Sequence, residues 1–203
     1  MNFYKFAKTI TNRFFRIFFR VKVIGSENEP TEGPFLVCSN HLSNNDVLLL
    51  GTSFHHQVRF FAKKELFAVP ILKQLITSLG AFPVDRQNAA ASFSSIKNAV
   101  SLLKGGEVVG IFPQGKRLSG MDPRKTNIKS GVGMIEYHAK VPVVPVLLET
   151  SNWKILPFRR TYVRIGKPIS YEEFNFTESS GKQFSEASQL IFKRITEQIG
   201  GNG

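Results

Sequence analysis

The sequence predicts an α/β fold: a largely parallel central sheet flanked by helices, with an amphipathic helix ahead of it. Apolar runs of strand length, such as Phe35–Cys38 and Val143–Leu148, alternate with segments whose apolar residues recur at helical spacing. That alternation builds parallel sheets. At 203 residues the chain is long enough for one domain with a substantial core. The first 22 residues differ from all that follows, which divides the chain into an amphipathic segment, 1–22, and a domain, 23–203.

In the first segment Phe3, Phe6, Ala7, Ile10, Phe14, Ile17, Phe18 and Val21 fall on one arc of a helical wheel, and Phe15 and Phe19 widen it. Lys5, Lys8, Arg13, Arg16 and Arg20 fall opposite, and no acid is present. Charges interrupt every apolar run, so this is neither a transmembrane span nor a signal peptide. A basic, Phe-rich amphipathic helix suits the headgroup plane of an anionic bilayer; a second reading packs it on the domain's own core, and a third is a transit peptide.

Val21–Gly25 then reads as a short strand, and residues 28–34, with two prolines and a glycine, as a loop. Strand 35–38 leads to a corner at His41 and a helix ending near Ser53. Val58–Ala62 is a strand and Lys63–Leu79 a helix that Pro70 kinks or breaks. Ala81–Val84 is extended. Ala89–Lys104 carries Phe93, Ile96, Val100 and Leu103 at helical spacing, and Gly105–Gly106 stops it. Strand Glu107–Phe112, a polar loop to Ser130, a helix over Gly131–Ala139 and strand Val143–Leu148 follow. Pro142 and Pro145 are expected to confine that last strand to an edge or a turn, and it could wall an apolar slot. Strand Tyr162–Ile165 and a helix from about Phe184 to Ile199 complete the domain.

The formal net charge of +12 and the 19 phenylalanines imply anionic partners and aromatic contact beyond a small core. No helix-turn-helix, zinc or aromatic RNA-binding signature accompanies the charge, which argues against nucleic acid. The single cysteine, Cys38, excludes an internal disulfide and reads as a core residue.

The chemistry concentrates at His41-Leu42-Ser43-Asn44-Asn45-Asp46. A neutral imidazole can take a proton from a hydroxyl, and a carboxylate can fix its tautomer and stabilise the imidazolium. Five positions along a straight helix would set the two about 140° apart, so they converge only if His41 lies on the loop before the helix. Ser43, Asn44 and Asn45 suit that loop and are expected to cap the helix. Taken alone the pair also fits a surface cap.

Basic residues stand at three other strand ends. Lys116 and Arg117 follow strand 107–112, with Arg124, Lys125 and Lys129 beyond; Arg86 follows strand 81–84; Lys63 ends strand 58–62. The spacing from Gly110 to Lys116 imitates a phosphate-cradling loop. It is rejected because Arg117 replaces the Ser or Thr that holds Mg²⁺ and Pro113 removes a backbone donor. The cations suit a phosphate ester, Arg bidentately; a solvated basic loop is the other reading. His55, His56 and His138 show no ligand spacing with His41, so no metal site is expected.

Four blocks resemble the 1-acyl-glycerol-3-phosphate acyltransferase family of phospholipid synthesis. Asn40-His41-x-Ser43-x-x-Asp46 is similar to its N-H-x-S-x-x-D block, and Gly80-Ala-Phe82-Pro-Val-Asp-Arg86 to its G-x-F-x-x-D/R-R block. Phe112-Pro113-Gln114-Gly115-Lys116-Arg117 resembles F-P-E-G-T-R, and Val141-Pro142-Val-Val-Pro145-Val resembles V-P-[IV]-[VI]-P-[VA]. Gln114 departs from the usual Glu, and Lys116 from the usual Thr or Ser. The resemblance implies that Arg117 meets the phosphate of a lysophosphatidate, with Lys63, Arg86 and Lys116 in support. His41, oriented by Asp46, would deprotonate the sn-2 hydroxyl for attack on acyl-CoA or acyl-carrier protein. The alternatives are the same chemistry on glycerol-3-phosphate or another lysophospholipid, and, given the departures at Gln114 and Lys116, a catalytically silent lipid-binding protein. Backbone N–H groups after Asn44 or in the Gly115 turn would hold the oxyanion. No cofactor beyond that co-substrate is implied, and the expected location is the cytoplasmic face of the cell membrane, as a peripheral or monotopic protein.

Overall fold

The computed structural model describes residues 13, 17–63, 67–68, 73, 76–77, 80–84 and 89–201, with the backbone alone at 63, 83–84 and 89–92. Its strands are β1 (Val21–Ile24), β2 (Leu36–Ser39), β3 (Val58–Lys63), β4 (Phe82–Val84), β5 (Val108–Ile111), β6 (Val143–Glu149) and β7 (Thr161–Ile165). They form one sheet in the order β1-β7-β6-β2-β5-β3-β4. From β6 through β4 every pairing is parallel; β7 runs antiparallel to β6, and β1 parallel to β7. The helices are α1 (Asp46–Ser53), α2 (Ala89–Lys104), α3 (Gly131–Ala139) and α4 (Gly181–Thr196).

Because β2 is buried on both faces, its side chains divide by the two-residue period of a strand. Phe35 and Val37 join a core with Leu49, Leu50, Phe54, Phe60, Val144 and Val163, beneath α1. Leu36 and Cys38 join the opposite core, beneath α2, α3 and α4, with Leu103, Val109, Ile135, Ile191 and Ile195. Each fully buried Leu, Ile or Phe contributes about 1.5–3 kcal/mol, so two continuous apolar layers hold the parallel strand ends in place. Two glycines permit close approach: a Cβ on Gly110 would sit 2.1 Å from the Phe60 ring, and one on Gly133 would sit 2.0 Å from the Phe184 carbonyl oxygen.

The α2 and α3 boundaries agree with the sequence expectation, and α4 starts three residues earlier than expected, where Ser180 accepts a hydrogen bond from the Gln183 N–H. The polar loop after β5 contains a 3₁₀ turn at Pro123–Lys125. Pro145 overturns the edge-or-turn expectation, since β6 lies inside the sheet between β7 and β2. Three steps along β6, from Val143 to Val146, face four from Ile165 to Ile169 on the opposing chain. That bulge falls opposite Pro145, so no ladder bond requires its missing N–H, and its carbonyl accepts from Gly166 at 2.8 Å.

Of the N-terminal arc, Val21 lies in β1, and Phe19 is buried in the core rather than widening a lipid-facing stripe. Phe3, Phe6, Ala7, Ile10, Phe14 and Phe15 lie outside the described residues, as does most of the helix expected over 63–79 with Pro70. Among the described residues no helix is long and apolar enough to cross a membrane.

Candidate functional site

β2, β5, β3 and β4 run the same way, so their C-terminal ends lie on one sheet edge. His41 leaves β2 on an extended loop, and α1 begins at Asp46, the geometry that convergence of the two requires. Nδ1 of His41 lies 2.7 Å from Oδ2 of Asp46. The same oxygen accepts the backbone N–H groups of Leu42 at 2.6 Å and Ser43 at 2.9 Å. The carboxyl therefore organises the loop as well as the imidazole. Asp46 is fully buried, and its Oδ1 has no partner among the described residues. Burial pushes its pKa above the ordinary range, opposed by the bonds from His41, Ser43 and Leu42. The expected cap differs in detail: Asn45 makes no side-chain cap, and the Ser43 hydroxyl accepts the Asn45 N–H at 3.2 Å.

His41 is fixed on its other sides by distant segments. Its backbone N–H donates to Oε1 of Gln114 at 2.7 Å, and its carbonyl accepts from Leu118 at 2.8 Å. A backbone N–H can only donate, so the Gln114 oxygen faces His41 and its amide nitrogen donates to Oγ1 of Thr126 at 2.7 Å. The Thr126 hydroxyl donates in turn to the Pro123 carbonyl at 2.7 Å. Phe112 stacks on the imidazole, with centroids 3.9 Å apart and planes 11° off parallel. The preceding Asn40 mimics a strand residue: Nδ2 donates to the Leu148 carbonyl at 2.9 Å, and Oδ1 accepts the Leu148 N–H at 2.8 Å.

The imidazole, 12% exposed, lines a cavity of about 280 Å³. Its apolar walls are Phe61, Ile96, Ile111, Phe112, Val132 and Ile135. The slot is thus walled by α2, α3, β3 and β5, while β6 is core. Ile96 is legible in the sequence as a helix-face residue, but only its position across from His41 makes it a wall. Lys129 stands at the same cavity, against Gly115, whose φ of 68° favours glycine.

Arg117 is exposed and donates through Nη1 to Oδ1 of Asn44, which sets a guanidinium beside the His41 corner. Lys116 is exposed on the same turn. Arg124 instead forks onto Asp122 and is engaged within its own turn. Lys63 ends β3 at the same sheet edge, with its side chain outside what is described, and Arg86 lies outside the described residues altogether. Gly80 takes a left-handed φ of 86°, and Phe82 packs on Phe61 with centroids 4.5 Å apart. Pro113 and Pro142 donate no N–H but accept through their carbonyls from Lys129 and Leu36, both at 2.9 Å. The Gly115 N–H closes a turn on the Phe112 carbonyl at 3.0 Å, so that amide is not free to hold an oxyanion. His55 and His56 both bond Glu29 through Nδ1 and backbone N–H, a clamp between loop and helix end. No cluster of three metal-ligating side chains occurs among the described residues.

Fold and site together define an α/β protein with a histidine–carboxylate centre at an apolar cavity. The family model described as Acyltransferase matches residues 20–149, and the chain belongs to that family. It is 33% identical over 180 residues to the 1-acyl-sn-glycerol-3-phosphate acyltransferase of Bacillus subtilis (strain 168), covering 87% of each chain. It is 30% identical over 187 residues to the enzyme of that name from Saccharomyces cerevisiae, covering 89% of this chain and 61% of the relative. Among solved structures, the 1-acyl-sn-glycerophosphate acyltransferase PlsC from Thermotoga maritima matches with a TM-score of 0.69 and 25% identity, over 98% of this chain and 81% of that one.

Proposed function

We propose that the protein transfers a fatty acyl group from a thioester, acyl-CoA or acyl-carrier protein, to the sn-2 hydroxyl of 1-acyl-glycerol-3-phosphate. The observation that carries this reading is the 2.7 Å His41–Asp46 pair at the mouth of an apolar cavity. Nδ1–H donates to Asp46, which leaves the Nε2 lone pair for the substrate. Nε2 takes the hydroxyl proton, and the oxygen attacks the thioester carbonyl carbon. This attack forms the C–O bond of a tetrahedral intermediate, whose collapse re-forms the C=O bond and breaks the C–S bond. The imidazolium returns its proton to the departing thiolate, so a free thiol leaves. Asp46 stabilises the imidazolium between these steps, as in other base–carboxylate pairs. Amides at the start of α1 are the candidates for holding the oxyanion.

The apolar cavity accommodates an acyl chain, and Arg117, with Lys116, Lys63 and Arg86 in support, receives the acceptor's phosphate. Gln114 acts through backbone and hydroxyl hydrogen bonds that need no negative charge. Because the acceptor is a membrane lipid, the protein works as a peripheral enzyme at the membrane's cytoplasmic face. The test is phosphatidate formation on liposomes carrying lysophosphatidate, run with labelled acyl-CoA and then with acyl-carrier protein, for wild type and His41→Ala. The variant is expected to lose about 10²- to 10⁴-fold in rate and to keep lipid binding. Equal turnover by the variant would refute the assignment, and the donor that supports wild-type turnover names the thioester.

A further inference from the structure

We propose that the loop joining β6 to β7, residues 150–160, is a membrane-contact element that inserts Leu156 and Phe158 into an anionic bilayer. This rests on the reading that the acceptor is a membrane lipid. The loop reads Thr150-Ser-Asn-Trp153-Lys154-Ile155-Leu156-Pro157-Phe158-Arg159-Arg160, with three cations and no acid. Ile155 is buried and Trp153 half-buried, so the loop is anchored in the core. Between those anchors and β7 it turns outward: Leu156 is 40% exposed and Phe158 67%.

The loop is held in this form at a cost. The Arg159 N–H closes a turn on the Leu156 carbonyl at 3.2 Å, and the Trp153 carbonyl accepts from Gly120 at 2.8 Å. Trp153 and Phe158 have φ of 57° and 59°, where glycine would be the unstrained choice. A connection that only closed two strands would not need aromatic residues there. An observed outlier of this kind points to a use for the side chain.

The tip is also part of a larger patch. The Phe158 N–H donates to the Phe18 carbonyl at 2.6 Å, and the two rings lie 5.0 Å apart. Ile17, on the segment ahead of β1, is 67% exposed, and Arg13 and Arg20 are exposed on the same segment. Below the tip lies a polar hollow of about 690 Å³ lined by Arg20, Arg159, Arg160, Arg164 and Thr150. Arg164 is paired with Glu149, which also lines the hollow, at 2.7 Å, but Arg20, Arg159 and Arg160 make no ion pair among the described residues. The buried Thr150 Oγ1 has no hydrogen-bond partner among those residues either. Apolar tips flanked by unpaired cations over a polar hollow match the layers of an anionic bilayer, acyl region outside and phosphate behind.

β6 and β2 are parallel, so this loop and the His41 loop leave the sheet at the same edge. A bilayer that meets Phe158 therefore faces the edge that carries the site. An acidic protein is the competing partner for the cations. The protruding apolar tip favours lipid, because a protein would need a matching pocket whereas a bilayer yields to any shape.

The experiment compares full-length wild type, Leu156→Ser/Phe158→Ser, Arg159→Gln/Arg160→Gln and Phe158→Trp. Binding is measured by sedimentation with vesicles of phosphatidylcholine, with and without phosphatidylglycerol. Activity is measured on a short-chain, monomeric lysophosphatidate, and thermal unfolding is followed alongside. The apolar double variant is expected to bind anionic vesicles on the order of 10- to 100-fold more weakly, with the monomeric activity and melting temperature of wild type. The arginine variant should lose the preference for phosphatidylglycerol, and Phe158→Trp should bind like wild type. Undiminished binding by both double variants overturns the proposal while leaving the acyltransfer reading intact. Wild type that acylates the monomeric acceptor but ignores vesicles, or binds an acidic carrier protein through these residues instead, also overturns it. Loss of vesicle binding by the loop variants of a protein that acylates nothing would sustain the membrane contact and sink the acyltransfer reading.

Discussion

Replacing Asp46 by Asn separates the charge of this carboxyl from its geometry. All three hydrogen bonds it accepts, from His41 Nδ1, Leu42 N–H and Ser43 N–H, fall on Oδ2. An Asn with its oxygen in that place keeps all three, and its amide nitrogen takes the position of the unpartnered Oδ1. The fold then pays for one buried amide without an acceptor, about 1–3 kcal/mol. Catalysis loses the counter-charge of the imidazolium. At a charge separation of about 4 Å and an effective dielectric constant of about 20, that attraction is worth about 4 kcal/mol. At 1.36 kcal/mol per decade this is about 10³ in kcat. The KM for lysophosphatidate should stay near wild type, because Arg117 and the cavity are untouched. Thiol release on lysophosphatidate vesicles gives both constants, and thermal unfolding shows that the variant is folded. Asp46→Ala should be less stable than Asp46→Asn, because it also strands the two amides. A kcat for Asp46→Asn within about tenfold of wild type would refute the electrostatic role and leave Asp46 as a loop organiser.

Gln114→Glu should keep activity within a few-fold, since a carboxylate oxygen can still accept the His41 N–H; Gln114→Leu strands that donor and should cost about 1–3 kcal/mol in chemical unfolding. Glu29→Gln tests the clamp on His55 and His56. Burial pushes the Glu29 carboxyl up, but the backbone and ring bonds of both histidines outweigh it and hold the pKa below 4.5. Its stabilisation is therefore complete above the unfolded value and is lost as pH falls through the folded one. Wild type should lose stability below about pH 5 along a slope that the variant lacks. Glu136 has the opposite sign: burial in α3 raises it to about 8, with only the Val141 backbone opposing. The unfolded chain gives up this proton near 4.5 and the folded one near 8, so stability should fall as pH rises between those values. Glu136→Gln should remove that slope and be more stable than wild type at pH 8 by a few kcal/mol, at roughly 1.4 kcal/mol for each pH unit crossed.

What is legible in the sequence is local. The strands β2, β5 and β6 announce themselves as apolar runs, and Gly105–Gly106 marks the end of α2. The His41–Asp46 pair is legible because five residues and the chemistry of a short loop fix it. Pro145 escapes the sequence because the rule against proline inside a sheet is local, whereas the bulge that admits it lies at Ile165–Ile169. Phe19 escapes it because a helical wheel shows that a face is apolar, not whether lipid or core covers it. The bonds of Asn40 with Leu148 and of His41 with Gln114 join residues 108 and 73 positions apart. No spacing announces such partners, so the sequence names Asn40 and Gln114 as motif residues without saying what they hold.

Those distant bonds explain how the proposed base, His41, sits on a loop and is still placed well. A catalytic group gains from preorganisation only if its backbone and ring are both held before substrate arrives. Here the ring is fixed in plane by Asp46 and over its face by Phe112, while the backbone is fixed by Gln114 on one side and Leu118 on the other. Three of these four residues belong to the segment that follows β5. That segment also carries Arg117 and is itself fastened through Thr126, Pro123 and the Lys129 bond to Pro113. The His41 backbone and the Arg117 guanidinium are thus linked through one loop rather than through two independent ones. Under the acyltransfer reading, that shared loop couples the positions of His41 and Arg117, on whose spacing an acceptor with a hydroxyl at one end and a phosphate at the other would depend.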